Sequence, residues 1–214
     1  MKKKIIITGG LGYIGTELCK IYSGVSWNNK ITIIDNRFIS ERVNQLRNWN
    51  MDFIQGDILD KELISKYCKD ADVVHHLAGI TDVPRTKSES SGLTDVKIKL
   101  AAVEGTQNIL DAISGKCKII FPSTHVVYEG IEKVKNNITE DEEVKPSLSY
   151  SSSKAINEKQ LKNSGKNYII LRLGSVYGYS TDTARIDIMP NLFSKIASQN
   201  GTLKLFAGGR QIKS

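Results

Sequence analysis

Short runs of branched apolar residues alternate along the chain with longer segments in which apolar positions recur every three or four residues. The runs read as strands at Lys4 to Thr8, Ile31 to Asp35, Met51 to Gln55, Ala71 to Leu77, Lys118 to Ser123 and Tyr168 to Leu173. Helical spacing fills the intervals at Ile14 to Ser23, Lys61 to Cys68, Leu93 to Ser114 and Ser151 to Ser164. Strands near-continuously apolar and separated by helices are buried on both faces, and parallel neighbours need a crossover to connect them. The pattern therefore predicts an α/β, doubly wound parallel sheet.

Two stretches break the alternation. Val126 to Ser149 is polar and ends near Pro146, so it reads as a surface loop whose acidic run, TEDEE, is solvated. Beyond Gly178 the regular alternation stops, leaving a helical pattern near Asp187 to Gln199 and a strand pattern near Leu203 to Phe206. The boundary divides the chain into residues 1–178 and 179–214.

Composition narrows the class. With 214 residues, 40% of them hydrophobic and 25% charged, the chain can bury a substantial core. The net charge of +7 is spread over scattered lysines rather than gathered in a patch, which points away from nucleic acid and toward a small anionic ligand. Cys19, Cys68 and Cys117 are odd in number and far apart, so neither a disulfide framework nor a metal site is expected, and a reducing, cytoplasmic compartment fits. The apolar run after Lys2, Lys3 and Lys4 is too short for a signal or a membrane span.

Candidate chemistry begins in TGGLGYIG, where Gly9, Gly10, Gly12 and Gly15 follow the first strand. They satisfy G-x-G-x-x-G and G-x-x-G-x-x-G together, at the turn where bare backbone lets a dinucleotide pyrophosphate reach a helix N-terminus. A tight strand-to-helix turn needs glycine anyway, so the motif gains weight from Asp35. That carboxylate ends the second strand twenty positions after Gly15, where it can accept from the adenosine ribose hydroxyls, in a Rossmann-like unit. It favours NAD over NADP, with the nearby cation of Arg37 leaving the second open.

A second constellation is Tyr150 with Lys154 in SYSSSK, four residues apart on one helix face. A phenol beside an ammonium has its pKa drawn down toward a usable general base. Ser123 and Thr124 end the fifth strand, and the Thr124 hydroxyl can polarise a substrate oxygen. The plainer alternative makes Tyr150 a packing aromatic and Lys154 a solvated charge. His75, His76 and His125 read first as packing residues, although His125 could move a proton.

These residues resemble the extended short-chain dehydrogenase/reductases, within them the NAD-dependent nucleotide-sugar epimerase/dehydratase group. The resemblance runs in order through TGGLGYIG, IIDN, GDI, HHLAG, VEGTQNIL, FPSTHVVY, TEDE, YSSSK, LRLGSVYG and LKLFAGGRQ. It implies that Gly9, Gly12, Tyr13 and Ile14 touch the pyrophosphate, Asp35 and Asn36 the ribose, and Asp57 with Ile58 the adenine. It implies also that Leu77, Ala78 and Gly79 line the nicotinamide side, that Tyr150 is the base, that Lys154 holds the nicotinamide ribose, and that Thr124 is the hydroxyl partner.

Departures from the group sharpen the picture. Ala102, Ser175 and Asp187 stand where the group often carries asparagine, with Ser175 and Asp187, beside Ser123 and Thr124, as substrate-contacting positions. His125 and Val126 replace the acid pair of the sugar dehydratases, which points away from dehydration. Members usually continue through a C-terminal substrate domain, so 179–214 reads as the beginning of one, and the chain on its own is expected to hold cofactor without turning over substrate. The resulting expectation is an epimerase-like oxidoreductase that passes a hydride between a nucleotide-sugar and bound NAD. A reductase or dehydrogenase of another small alcohol or ketone, and a non-catalytic dinucleotide-binding protein, are the alternatives. The two long helices at Leu93 to Ser114 and Ser151 to Ser164 are where the family commonly forms a homodimer.

Overall fold

The computed structural model describes residues 2–81, 92–133, 135–181, 186 and 188–210. Its strands are β1 (Lys4–Thr8), β2 (Lys30–Asp35), β3 (Asp52–Gln55), β4 (Val73–His76), β5 (Lys118–Thr124) and β6 (Asn167–Leu173). Its α-helices are α1 (Tyr13–Ser23), α2 (Ser40–Asn48), α3 (Lys61–Cys68), α4 (Gly92–Ala112), α5 (Ser149–Asn163) and α6 (Met189–Ser198). The strands form one six-stranded sheet in the order β3-β2-β1-β4-β5-β6, and the pairings are parallel throughout.

The three isoleucines of β1 show why the run is apolar without alternation. Ile6 packs with Ile34, Ile64, Ile109 and Leu161 on the face covered by α3, α4 and α5. Ile5 and Ile7 point the other way and pack with Ile31, Ile33, Cys19, Val43 and Leu46, beneath α1 and α2. A strand sandwiched in this way has no face left for polar residues. On the first face α4 approaches closely at Gly105, where a Cβ would lie 2.4 Å from Ile58 Cδ1.

Two elements depart from the sequence pattern. Helix α2 carries no legible signature, because only Val43 and Leu46 of its nine residues are buried and the rest is polar. The strand expected near Leu203 to Phe206 is not one. Leu203 and Leu205 are exposed, the backbone there is irregular, and a short 3-10 turn follows at Phe206–Gly209. An alternating run becomes a strand only when another strand pairs with it, and no strand pairs with this one among the described residues. The helical pattern ahead of it is present as α6, which starts at Met189 with Pro190 in its first turn.

Chain order reverses beside β1, which lies between β2 and β4. In such sheets the crevice at the carboxyl ends of the strands on either side of the reversal is the natural ligand site. The ends of β1, β2, β4 and β5 and the segments that leave them carry Gly9, Gly12, Asp35, Asn36, Ala78, Gly79 and Thr124. Among the described residues, no helix is long and apolar enough to cross a membrane.

Candidate active site

The glycines of the first turn divide by what surrounds them. Gly9 has φ +70°, and a Cβ there would lie 2.6 Å from the Ala78 backbone nitrogen. A Cβ on Gly10 would meet Ile33 Cγ2 at 2.5 Å, and one on Gly15 would meet the Gly9 carbonyl oxygen at 2.4 Å. These three let the first turn close on β2, on α1 and on the end of β4. Gly12 differs: a Cβ there would meet only the Gly9 oxygen at 3.2 Å and Arg37 Nη2 at 3.7 Å. Gly12 is also the N-cap of α1, with no side-chain cap and no acidic residue in the first turn, so the helix presents unneutralised amides beside Tyr13 and Ile14.

Asp35 is 6% exposed, and both its oxygens are engaged. Oδ2 accepts from Leu11 N at 2.9 Å, and Oδ1 accepts from Arg37 N at 3.0 Å and, at 3.5 Å, from Arg37 Nε. The carboxylate thus anchors the glycine-rich turn to the end of β2, a role the sequence does not reveal. A carboxylate has about four lone-pair positions, so it can still accept from a ribose hydroxyl. Asn36 Nδ2 donates to Asp57 Oδ2 at 3.1 Å, while Asp57 Oδ1 accepts from Leu59 N at 3.0 Å. The Ile58 side chain is buried in the core, and its carbonyl accepts from Asn108 Nδ2 at 3.0 Å.

The end of β4 is held by a polar relay. Ala78 N donates to Thr8 Oγ1 at 3.3 Å, and the same hydroxyl is hydrogen-bonded to His76 Nδ1 at 2.9 Å. On the other side of the ring, His76 Nε2 is hydrogen-bonded to Thr106 Oγ1 at 3.0 Å. Burial, with the Lys154 charge adding to it, pushes His76 down to about 3, so the ring is neutral. His75 bonds Tyr22 OH through Nε2 at 2.7 Å. Both histidines are packing residues, as expected. Leu77 packs against the α1 side of the sheet, and Gly79 faces open space.

At the end of β5 the Thr124 oxygen accepts from Val126 N at 3.3 Å, leaving the hydroxyl proton to donate. Lys154 Nζ donates to the Pro122 carbonyl at 2.8 Å, lies 4.4 Å from the Phe121 ring centre, and lies 5.9 Å from that of Tyr150. Desolvation pushes this ammonium down to about 8, against the opposing pull of the Glu158 carboxylate. Thr124, Tyr150 and Lys154 thus gather at one end of β5. His125 Nδ1 bonds the Leu173 carbonyl at 3.1 Å.

Other predicted positions fall elsewhere. Ser123 is turned inward, its hydroxyl donated to Glu158 Oε1 at 2.5 Å, so it does not offer that proton to a substrate. The Tyr13 hydroxyl donates to the Gly178 carbonyl at 2.5 Å and accepts from Asn191 Nδ2 at 3.2 Å, tying the glycine-rich turn to the residues that lead into α6. Ser175 is exposed after β6, and Asp187 lies outside the described residues. The polar segment after β5 is more than a solvated loop. One oxygen of Glu129 accepts from Ser147 N at 2.9 Å, Leu148 N at 2.8 Å and the Ser151 hydroxyl, capping the helix that carries Tyr150. Burial pushes Glu129 up, but these hydrogen bonds outweigh it and hold the carboxyl below its ordinary value. Sequence reasoning missed Glu129, Glu158 and Arg172; the one available signal was the continued four-residue spacing of Tyr150, Lys154 and Glu158.

The profile of the NAD dependent epimerase/dehydratase family matches residues 5–213. The chain belongs to this family. Among its family relatives, the UDP-N-acetyl-alpha-D-glucosaminuronate decarboxylase of Bacillus cytotoxicus is 31% identical over 225 residues, covering 100% of this chain and 67% of that protein. The UDP-N-acetylglucosamine 4-epimerase from Methanobrevibacter ruminantium, solved with UDP-N-acetylmuramic acid, superposes with a TM-score of 0.80 at 28% identity, over 99% of this chain and 68% of that one. The UDP-glucuronic acid 4-epimerase from Bacillus cereus, solved with NAD, superposes with a TM-score of 0.76 at 28% identity, over 98% of this chain and 66% of that one. This epimerase/dehydratase chain therefore spans about two thirds of the length of these relatives.

Proposed function

We propose that the chain is the cofactor-binding part of an NAD-dependent enzyme that acts on a nucleotide-sugar, with epimerisation as the favoured outcome. The observation that carries this reading is the gathering of Thr124, Tyr150 and Lys154 at the end of β5, in a sheet whose first turn leaves α1 uncapped behind Gly12. The residues fit NAD. Gly12 and the first amides of α1 suit a pyrophosphate, and the Asp35 carboxylate, with Asn36, suits a ribose diol while repelling a 2′-phosphate. Asp57 and the Ile58 backbone flank the adenine side, and Leu77, Ala78 and Gly79 the nicotinamide side.

Bound NAD supplies the hydride acceptor. The chain's own groups handle the proton: Thr124 donates its hydrogen bond to the reacting oxygen of the sugar, and the Tyr150 phenolate takes the alcohol proton. Lys154 favours that phenolate by its charge and orients the nicotinamide ribose. Val126 carries no proton, which supports epimerisation over the acid-base elimination of a dehydratase. Both solved relatives are 4-epimerases of UDP-linked sugars, which supports a UDP-linked sugar here. Residues 1–178 serve the cofactor, and 179–214 begin the substrate part, with Ser175 and Asp187 as candidate substrate-contacting positions. Exposed Leu93 and Val96 on α4 support a homodimer through a helical face, and three buried free cysteines support a reducing, cytoplasmic location.

The test is a hydride-transfer assay with UDP-linked sugars on a protein that joins this chain to the third of its relatives' length that it does not span. Tyr150→Phe should slow transfer by roughly 10²–10⁴-fold while NAD binding persists. Transfer within about tenfold of the parent would show that another group takes the proton, and net release of reduced cofactor would favour the dehydrogenase alternative.

A further inference from the structure

Helix α5 extends the spacing of its site residues by one more turn, so Tyr150, Lys154 and Glu158 lie along one face. Glu158 is 3% exposed, and its carboxylate is fully engaged. Oε1 accepts from Ser123 Oγ at 2.5 Å and from Arg172 Nε at 3.0 Å, and Oε2 accepts from Arg172 Nη2 at 2.6 Å. Arg172 reaches onward, donating through Nη1 to the Glu140 carbonyl at 2.8 Å and to the Tyr128 hydroxyl, which itself donates to the Thr139 carbonyl at 3.0 Å. One carboxylate thus joins α5 to the end of β5, to β6, and to the segment leading from β5 into α5.

Packing alone does not call for buried ions here, since apolar residues of similar shape often hold such a position at least as well. The surroundings of Lys154 supply the reason. From β4 it is faced by His76, which is neutral. From β5 it meets the Phe121 ring and the Pro122 carbonyl, with Ser123 next along the strand. From its own helix come Tyr150 and Glu158, and behind Glu158 stands the Arg172 cation of β6. Among these groups Glu158 is the anion.

We propose that Glu158 is a positioning residue of this site: it supplies the counter-charge that keeps the buried Lys154 ammonium protonated, and Ser123 and Arg172 hold that carboxylate in place. It acts through Lys154 and through the end of β5 next to Thr124. The inference rests on the proposed function only for the use made of Lys154. Desolvation already brings Lys154 to about 8 with Glu158 pulling upward, so loss of that charge would leave much of the lysine neutral near physiological pH.

The test is an NMR titration of the whole chain with ¹⁵N-labelled lysine, the Lys154 signal being identified by its loss in Lys154→Met. The parent should titrate near 8. Glu158→Gln should titrate about one unit lower, the scale on which an opposite charge at close range acts, and Glu158→Asp, which keeps the charge, should stay within about half a unit of the parent. Should Glu158→Gln fail to fold with Arg172 left unpaired, the Glu158→Gln/Arg172→Gln double variant, which removes a more distant cation with the anion, should show a smaller fall in the same direction. An unchanged titration in a folded charge-free variant, or an equal fall in Glu158→Asp, overturns the proposal and leaves a purely structural clamp. The readout needs neither cofactor nor substrate. A chain that shows the shift yet binds no NAD would refute the proposed function and leave this inference standing.

Discussion

Replacing Lys154 with methionine should stabilise the chain while weakening its hold on cofactor. The lysine's pKa falls from 10.5 to about 8 on folding, chiefly through desolvation. At about 1.36 kcal/mol per unit, keeping the ammonium charged in the fold costs roughly 3 kcal/mol near neutral pH. Methionine fills a similar volume and removes that cost, but it forfeits the bond to the Pro122 carbonyl, about 1 kcal/mol, and the contact with the Phe121 ring, about 0.5–1 kcal/mol. The net gain should be about 1–2 kcal/mol near pH 7. Between about pH 8 and 10.5 the unfolded chain binds more protons than the folded one, so the parent gains stability as pH rises and the gap between the two proteins closes. Urea unfolding of parent and variant at about pH 7 and about pH 9.5, followed by circular dichroism, reads both effects. A variant less stable than the parent near neutrality, or one whose advantage is unchanged at the higher pH, would mean that the buried ammonium carries no such desolvation cost.

Asp35→Ala should lose about 2–3 kcal/mol of stability, because it strips the acceptor from the Leu11 and Arg37 amides; a loss under about 0.5 kcal/mol in urea unfolding would mean that the turn holds itself. Gly15→Ala should cost more than about 2 kcal/mol, since its Cβ would strike the Gly9 oxygen and Gly10 Cα, both backbone. Gly12→Ala, with a nearest contact of 3.2 Å, should keep the fold and weaken NAD binding in calorimetry; equal destabilisation by the two would dissolve the distinction between packing and ligand-facing glycines. His76 is neutral in the fold with its pKa near 3, so stability should decline by about 1.4 kcal/mol per unit as pH drops below the unfolded value of about 6.5. His76→Gln should remove that part of the slope between about pH 6.5 and 5, measured by urea unfolding, and an unaltered slope would place the acid sensitivity elsewhere.

The parts of the fold that were legible in the sequence are those where local pattern and tertiary surroundings agree. The isoleucines of β1 and β2 admit one reading because both faces of the strand are covered. Helix α2 stayed hidden because two buried residues suffice to dock it, and Leu203 to Phe206 misled because alternation says nothing of whether a partner strand is near. The site follows the same division. Spacing placed Tyr150 with Lys154 and the glycines ahead of Asp35. It could not tell the three glycines that close the packing from Gly12, nor foresee that Asp35 anchors the turn, because both depend on backbone brought up from elsewhere. The Glu158 network was beyond reach for the same reason, its partners Ser123 and Arg172 standing 35 and 14 residues away along the chain.

The proposed NAD site, formed by the turn behind Gly12 and the Asp35 carboxylate, should discriminate against a 2′-phosphate. Titration calorimetry of the purified chain with NAD and then with NADP tests it most directly. The expected result is measurable binding of NAD, appreciably tighter than that of NADP, with the difference shrinking in Asp35→Ala as a repulsive charge and an acceptor are removed together. Equal or tighter binding of NADP by the parent chain, or no binding of either dinucleotide by folded protein, would contradict it.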